Sequence, residues 1–150
     1  MRFTLVMSMA AAALAGILLC GPAQAGDTPE VLPGVKVVNA DAVTKAVAAG
    51  ATLIDARVAS EYAEGHLKGA VNVPYREKSA KSVDFDAGQD QFDLSKLPSD
   101  KAAAIVIYCN GPECWKSFKA STAALKAGYT NILWYQAGFP DWKSKGLPVE

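Results

Sequence analysis

Ala104-Ile105-Val106-Ile107-Tyr108-Cys109-Asn110-Gly111-Pro112-Glu113-Cys114-Trp115-Lys116-Ser117 is the stretch whose reading decides the fold. Its first five residues are an uninterrupted apolar run, short enough for a strand buried on both faces. The run delivers Cys109 to its carboxyl end. Gly111-Pro112 then breaks the chain, and a helix is expected to begin at Trp115 to Ser117. It continues through Leu125, with Gly128 as its C′ residue. A strand, a tight loop and a helix in this order aim several backbone N–H groups, and the positive end of the helix dipole, at one point. A cysteine held there is shifted toward the thiolate and becomes a nucleophile. The competing reading is an inert cysteine that only fills a strand end.

Working outward, the same alternation recurs. Asn39 is an expected N-cap for a helix carrying Val43, Ala46 and Val47, closed by Gly50. Thr52-Leu53-Ile54-Asp55-Ala56 reads as a second buried strand ending near Asp55. Ser60 is the expected cap of a short helix over Glu61 to Glu64, ended by Gly65. Ala70-Val71-Asn72-Val73 is a strand stopped by Pro74. Residues 75–99 are polar, with Val83, Phe85, Phe92, Leu94 and Leu97 as their apolar anchors, and read as an excursion that covers one face. Asn131 to Tyr135 is a last strand, and Phe139 to Lys145 a last short helix. Short, uniformly apolar strands alternating with helices predict an α/β fold, a parallel sheet covered on both faces. Ligands of such sheets bind beyond the carboxyl ends of the strands, where Asp55 and Cys109 both fall.

The chain has 150 residues, enough for one domain, and is 51% hydrophobic. Part of that figure belongs to the first 25 residues. A basic start at Arg2, an uncharged alanine-rich run from Leu5 to Cys20, and Gly21-Pro22-Ala23-Gln24-Ala25 form the three-part pattern of a cleaved signal peptide. The expected organisation is therefore a signal peptide over 1–25, cut after Ala25, a flexible lead over 26–35, and one domain over 36–150. Localisation is expected to be periplasmic or secreted, with no stable membrane insertion after cleavage. Leu19 before Cys20 is a poor lipobox. The chain carries 15 basic and 15 acidic side chains, and loss of Arg2 leaves 14 against 15. No basic patch points to nucleic acid. Of the three cysteines, Cys109 and Cys114 remain after cleavage, too few for a disulfide scaffold.

Several motifs in register resemble the rhodanese-like sulfurtransferases. Leu53-Ile54-Asp55-Ala56-Arg57, Glu61-Tyr62, Gly65-His66-Leu67, Gly69-Ala70 and Asn72-Val73-Pro74 are similar to the first signature of those domains. Val106-Ile107-Tyr108-Cys109 is similar to the strand entering their active-site loop. Gly128-Tyr129, Ala137-Gly138-Phe139, Trp142 and Gly146-Leu147-Pro148-Val149 are similar to their closing segment. The resemblance spans roughly residues 36–149 and implies a five-stranded parallel sheet flanked by helices on both faces. It also implies that Cys109 accepts sulfane sulfur as a persulfide, from a thiosulfate or persulfide donor, and passes it to a thiol or other nucleophile. No metal or organic cofactor is implied. The loop is longer than in ordinary single-domain members and lacks their arginine. It resembles an exported subgroup marked by a second cysteine and tryptophan, some of whose members are associated with quinoprotein-dependent alcohol catabolism. A longer loop makes a larger pocket, as in the related cell-cycle phosphatases, which weakens the case for thiosulfate as donor.

The loop Asn110, Gly111, Pro112, Glu113, Cys114, Trp115 and Lys116 is the expected cradle for the persulfide anion. Cys114 is expected either to resolve the persulfide, leaving a Cys109–Cys114 disulfide, or to pack. Lys116 sits where a lysine opposes the helix dipole, so attraction of an anionic donor stands beside simple surface charge. Lys119 is expected on the surface. Asp55 and Arg57 are read as supporting residues that hold the strand end through neighbours such as Glu61. His66, the lone histidine, is read as structural, because it has too few partners for a metal site. Three functions follow: a sulfurtransferase serving a small donor and a thiol acceptor, a dithiol redox protein using both cysteines, or a non-catalytic accessory module for an exported redox protein such as a quinoprotein dehydrogenase.

Overall fold

The computed structural model describes residues 26–150, so the expected signal peptide lies outside the described residues. The chain runs β1 (Lys36–Val37), α1 (Ala40–Ala48), β2 (Thr52–Asp55), α2 (Ala59–Glu64), β3 (Val71–Asn72), β4 (Ile105–Tyr108), α3 (Trp115–Lys126), β5 (Ile132–Tyr135) and α4 (Gly138–Ser144). All strands pair in parallel in the order β1-β5-β4-β2-β3. The register aligns Asp55, Tyr108 and Tyr135 at the carboxyl edge. Chain direction across the sheet reverses between β2 and β4, so the loop after β4 leaves the edge at the point where such folds open a crevice. The α/β fold with a five-stranded parallel sheet matches the expectation.

Both faces of the sheet are covered because each strand alternates its side chains between two cores. Ile105 and Ile107 pack with Ile54, Val73, Ala120, Ala124 and Ile132 under α3. Val106 and Tyr108 pack with Val43, Leu53, Leu67, Tyr135 and Trp142 on the side of α1 and α4. Asn39 caps α1 by accepting from the Ala42 N–H at 2.9 Å. The N-cap of α2 is Val58 with no side-chain cap, not Ser60. β1 was not anticipated: it is two residues long and exposed on both, and it carries no alternation to read.

The excursion over 75–99 contains two 3₁₀ turns, Ala87–Gln89 and Leu94–Lys96. It is fastened to α3 by a polar cluster. Lys119 corrects the surface expectation: it is fully buried. Its Nζ donates to Ser79 Oγ at 2.8 Å and the Ser79 carbonyl at 3.2 Å, with Glu77 Oε2 at 2.9 Å and Asp90 Oδ2 at 3.9 Å. Asp90 accepts from the Ser79 hydroxyl at 2.5 Å, the Ser79 and Lys78 N–H groups at 2.7 Å, and the Tyr75 hydroxyl at 2.9 Å. Burial opposes the Asp90 charge, but these hydrogen bonds outweigh it and hold the carboxyl at about 2, below its ordinary 3.8. The lowered value means that the charged form stabilises the fold above about pH 4, and that this contribution is lost as pH falls toward 2. Asp90→Asn should therefore be less stable than wild type near neutrality. The gap in Tm between the two should narrow steadily from pH 4 to pH 2 in a thermal-melt series.

Gly138, the first residue of α4, has φ +65°, and a Cβ there would lie 2.2 Å from the Cys109 carbonyl oxygen and 2.9 Å from Gly111 N. The next residue, Phe139, donates its N–H to the same carbonyl at 2.9 Å. Neither backbone neighbour can yield without moving the loop. Gly138→Ala should cost about 2–4 kcal/mol of stability, from left-handed strain plus overpacking, read as a lowered urea midpoint.

Candidate active site

The site grows from the end of β4. Cys109 is fully buried, and its sulfur is joined to that of Cys114 in a disulfide with a Cα–Cα distance of 6.3 Å. That spacing is within ordinary disulfide geometry. The bond closes the loop on itself, and the Cys114 N–H donates to the Gly111 carbonyl at 3.0 Å inside it. Gly111 takes φ +114°, a conformation that L side chains resist. Asn110 is tethered outward, its side-chain amide donating to Glu61 Oε1 at 2.7 Å.

Ser117, in the first turn of α3, is the residue that sequence reasoning missed. Its N–H lies 3.3 Å from Cys109 Sγ, and its Oγ 3.0 Å. A disulfide sulfur has no hydrogen to give, so the hydroxyl is the donor. Trp134 on β5 fixes that orientation by donating its indole N–H to Ser117 Oγ at 2.9 Å. One lone pair of the hydroxyl is thereby used, and its own hydrogen is left for the sulfur. Two donors from one residue at the N-terminus of a 12-residue helix thus meet a single sulfur. They are positioned to stabilise negative charge on it. The Cys114 carbonyl oxygen is 3.2 Å from the same sulfur, an acceptor that a reduced thiol's hydrogen can reach. The one signal in the sequence was a hydroxyl within the expected first helical turn after the cysteine loop.

The other singled-out residues divide between the pocket and its support. A cleft of about 250 Å³ opens at the loop, lined by Glu77, Lys81, Asn110, Glu113, Cys114, Trp115 and Lys116. Cys114 keeps part of its surface in solvent there, unlike Cys109. Trp115 both borders the cleft and packs with Leu32, Phe118 and Trp134. Pro112 turns the other way: its carbonyl accepts from the Thr28 N–H at 2.8 Å and the Thr28 hydroxyl at 2.9 Å. Gln136 holds Thr28 from β5's side at 2.8 Å, and the Trp115 indole donates to the Gly26 carbonyl at 3.0 Å. The lead over 26–35, expected to be flexible, is thus strapped against the cysteine loop.

Asp55, the last residue of β2, and Arg57 just beyond it are both buried. Arg57 pairs with Asp55 itself at 2.6 Å, not with Glu61, and donates to the Gly65 carbonyl at 2.7 Å. The Tyr108 hydroxyl donates to Asp55 Oδ2 at 2.8 Å and accepts from the Leu67 N–H at 3.1 Å. Burial, reinforced by the Asp55 charge, pushes the Tyr108 hydroxyl well above its ordinary range, so it stays a donor. His66 stacks on Tyr62 at 3.7 Å between ring centroids, with Nδ1 2.9 Å from the Tyr62 carbonyl. The Asp55, Arg57 and Tyr108 contacts pin β2 and the Gly65–Leu67 turn to β4 one residue before Cys109.

Known proteins share this fold. The rhodanese-like domain model matches residues 39–145. Thiosulfate sulfurtransferase 16, chloroplastic, of Arabidopsis thaliana is 29% identical over 102 residues, covering 68% of this chain and 82% of that protein. The thiosulfate:glutathione sulfurtransferase of Saccharomyces cerevisiae is 32% identical over 95 residues, covering 63% of this chain and 66% of that protein. In fold, the chain resembles a rhodanese-related protein from Thermoplasma volcanium, with a TM-score of 0.56 at 20% identity over 77% of this chain and 97% of that one. With the family model covering most of its length, this chain belongs to the rhodanese-like domain family.

Proposed function

We propose that this protein is an exported sulfurtransferase that carries sulfane sulfur on Cys109 as a persulfide. The observation that carries the reading is the buried Cys109 sulfur held by the N–H and hydroxyl of Ser117 at the start of α3. The reduced Cys109 thiolate attacks the outer sulfur of a donor. The donor's S–S bond breaks, its remaining anion leaves, and Cys109 carries the new sulfur with its negative charge. An acceptor thiolate then attacks that outer sulfur and restores the Cys109 thiolate. Cys114 supports a second exit: its thiolate attacks the inner sulfur of Cys109, expels hydrosulfide and forms the disulfide. The names of the two sulfurtransferase relatives support a small sulfur donor and a thiol acceptor. The pattern over residues 1–25 supports export to the periplasm or beyond, with a cut after Ala25. The Cys114-Trp115 pair supports the quinoprotein-associated subgroup, with an exported redox protein as partner.

The disulfide itself favours one alternative, a dithiol redox protein on the same fold. Single variants separate the two. Reduced Cys109→Ser should take up no sulfur from polysulfide by intact mass. Reduced Cys114→Ser should keep a single added sulfur but release hydrosulfide slower by about tenfold or more, since the internal nucleophile is gone. Hydrosulfide release at the full rate from Cys114→Ser would remove the resolving role.

A further inference from the structure

The two sulfurs of the disulfide are not equivalent. Cys109 Sγ is sealed from solvent and faces the Ser117 N–H and hydroxyl, whereas Cys114 borders the open cleft. Disulfide exchange is fastest when the accessible sulfur is attacked and the better-stabilised sulfur leaves. Both conditions select the same direction here.

We propose that an external thiol reductant enters the site at Cys114, with Cys109 as the leaving thiolate. The thiolate attacks Cys114 Sγ and forms a mixed disulfide with it. The Cys109–Cys114 bond breaks, and its electron pair stays on Cys109, beside Ser117. A second thiolate then attacks the reductant's sulfur in the mixed disulfide, releases Cys114 as a thiolate, and departs as the oxidised reductant. Two thiols, or one dithiol, supply the two electrons. The exposed cysteine is thus the regeneration port, and the buried one is the carrier. The inference builds on the sulfur-transfer reading for its purpose, but its chemistry is independent of it.

The test uses the oxidised full domain with two reductants, glutathione and a thioredoxin whose resolving cysteine is replaced by serine. Acid quenching and peptide mapping locate the adduct. Cys114 should carry it over Cys109 by about tenfold or more with at least one reductant, following the accessibility and leaving-group order. Glutathione alone succeeding identifies a small-thiol port, and thioredoxin alone a protein-dithiol port. A predominance of Cys109 adducts, or resistance to both thiols, would overturn the proposal. A rate measurement covers the case of a short-lived adduct. Ser117→Ala removes a donor from the leaving sulfur and should slow reduction of the disulfide several-fold, whereas attack at Cys109 would leave the rate unchanged or raise it. Sulfur uptake is scored on the same reduced sample. A Cys114 adduct without uptake would reject sulfur transfer and retain the port.

Discussion

A sulfur atom at the end of a fully buried strand has to meet polar partners, and here Ser117 supplies them. Its N–H and hydroxyl both reach Cys109 Sγ, and Trp134 leaves the hydroxyl no better use for its hydrogen. That relay ties three elements together, because Cys109 ends β4, Ser117 begins α3 and Trp134 lies on β5. Once the strand, helix and neighbouring strand meet at one sulfur, the loop between them has little freedom. Gly138 closes against the Cys109 carbonyl from the other side. The polar setting of the Cys109 sulfur is therefore an outcome of packing as much as of the cysteine itself.

The support around this point is polar where a hydrophobic core would have sufficed for stability. Buried ion pairs are weak contributors to stability, but removal of one partner is costly. Asp55–Arg57–Tyr108 locks β2 to β4, and Lys119 with Glu77, Ser79 and Asp90 fastens the excursion to α3. Glu77 sits in both the Lys119 cluster and the cleft wall. The covering segment is thereby indexed to the same helix that starts at the cysteine loop. The strap from Gly26 to Leu32 adds a third tie, through Pro112, Trp115 and Gln136.

Most of the sheet was legible because β2, β4 and β5 are short apolar runs with turn residues at their ends, and burial on both faces demands just that composition. β1 was not, since two exposed residues on an edge carry no pattern. Lys119 was misread for a physical reason: a lysine on a helix belongs to solvent unless its counter-charges come from elsewhere. Glu77 and Asp90 lie on a distant polar segment that was read as covering one face, but nothing in it marked Lys119 as the residue it would cover. The lead was read as flexible from its prolines and glycines, while the ties that hold it run to residues 84 to 108 positions away. At the site, Cys109, Cys114 and the loop stood out by residue type. Ser117 did not, because a serine in a first helical turn has many ordinary uses.

Sulfur carriage on Cys109 requires that the Cys109–Cys114 bond first be reduced. Its most direct test is the intact mass of the isolated oxidised protein after exposure to polysulfide, compared with the same protein reduced first and freed of reductant. Sulfur carriage on Cys109 predicts no sulfur on Cys109 of the oxidised form, and one sulfur on Cys109, removable by fresh thiol, for the reduced form. Equal loading of Cys109 in both forms, or uptake by the reduced form on Cys114 instead, would contradict it.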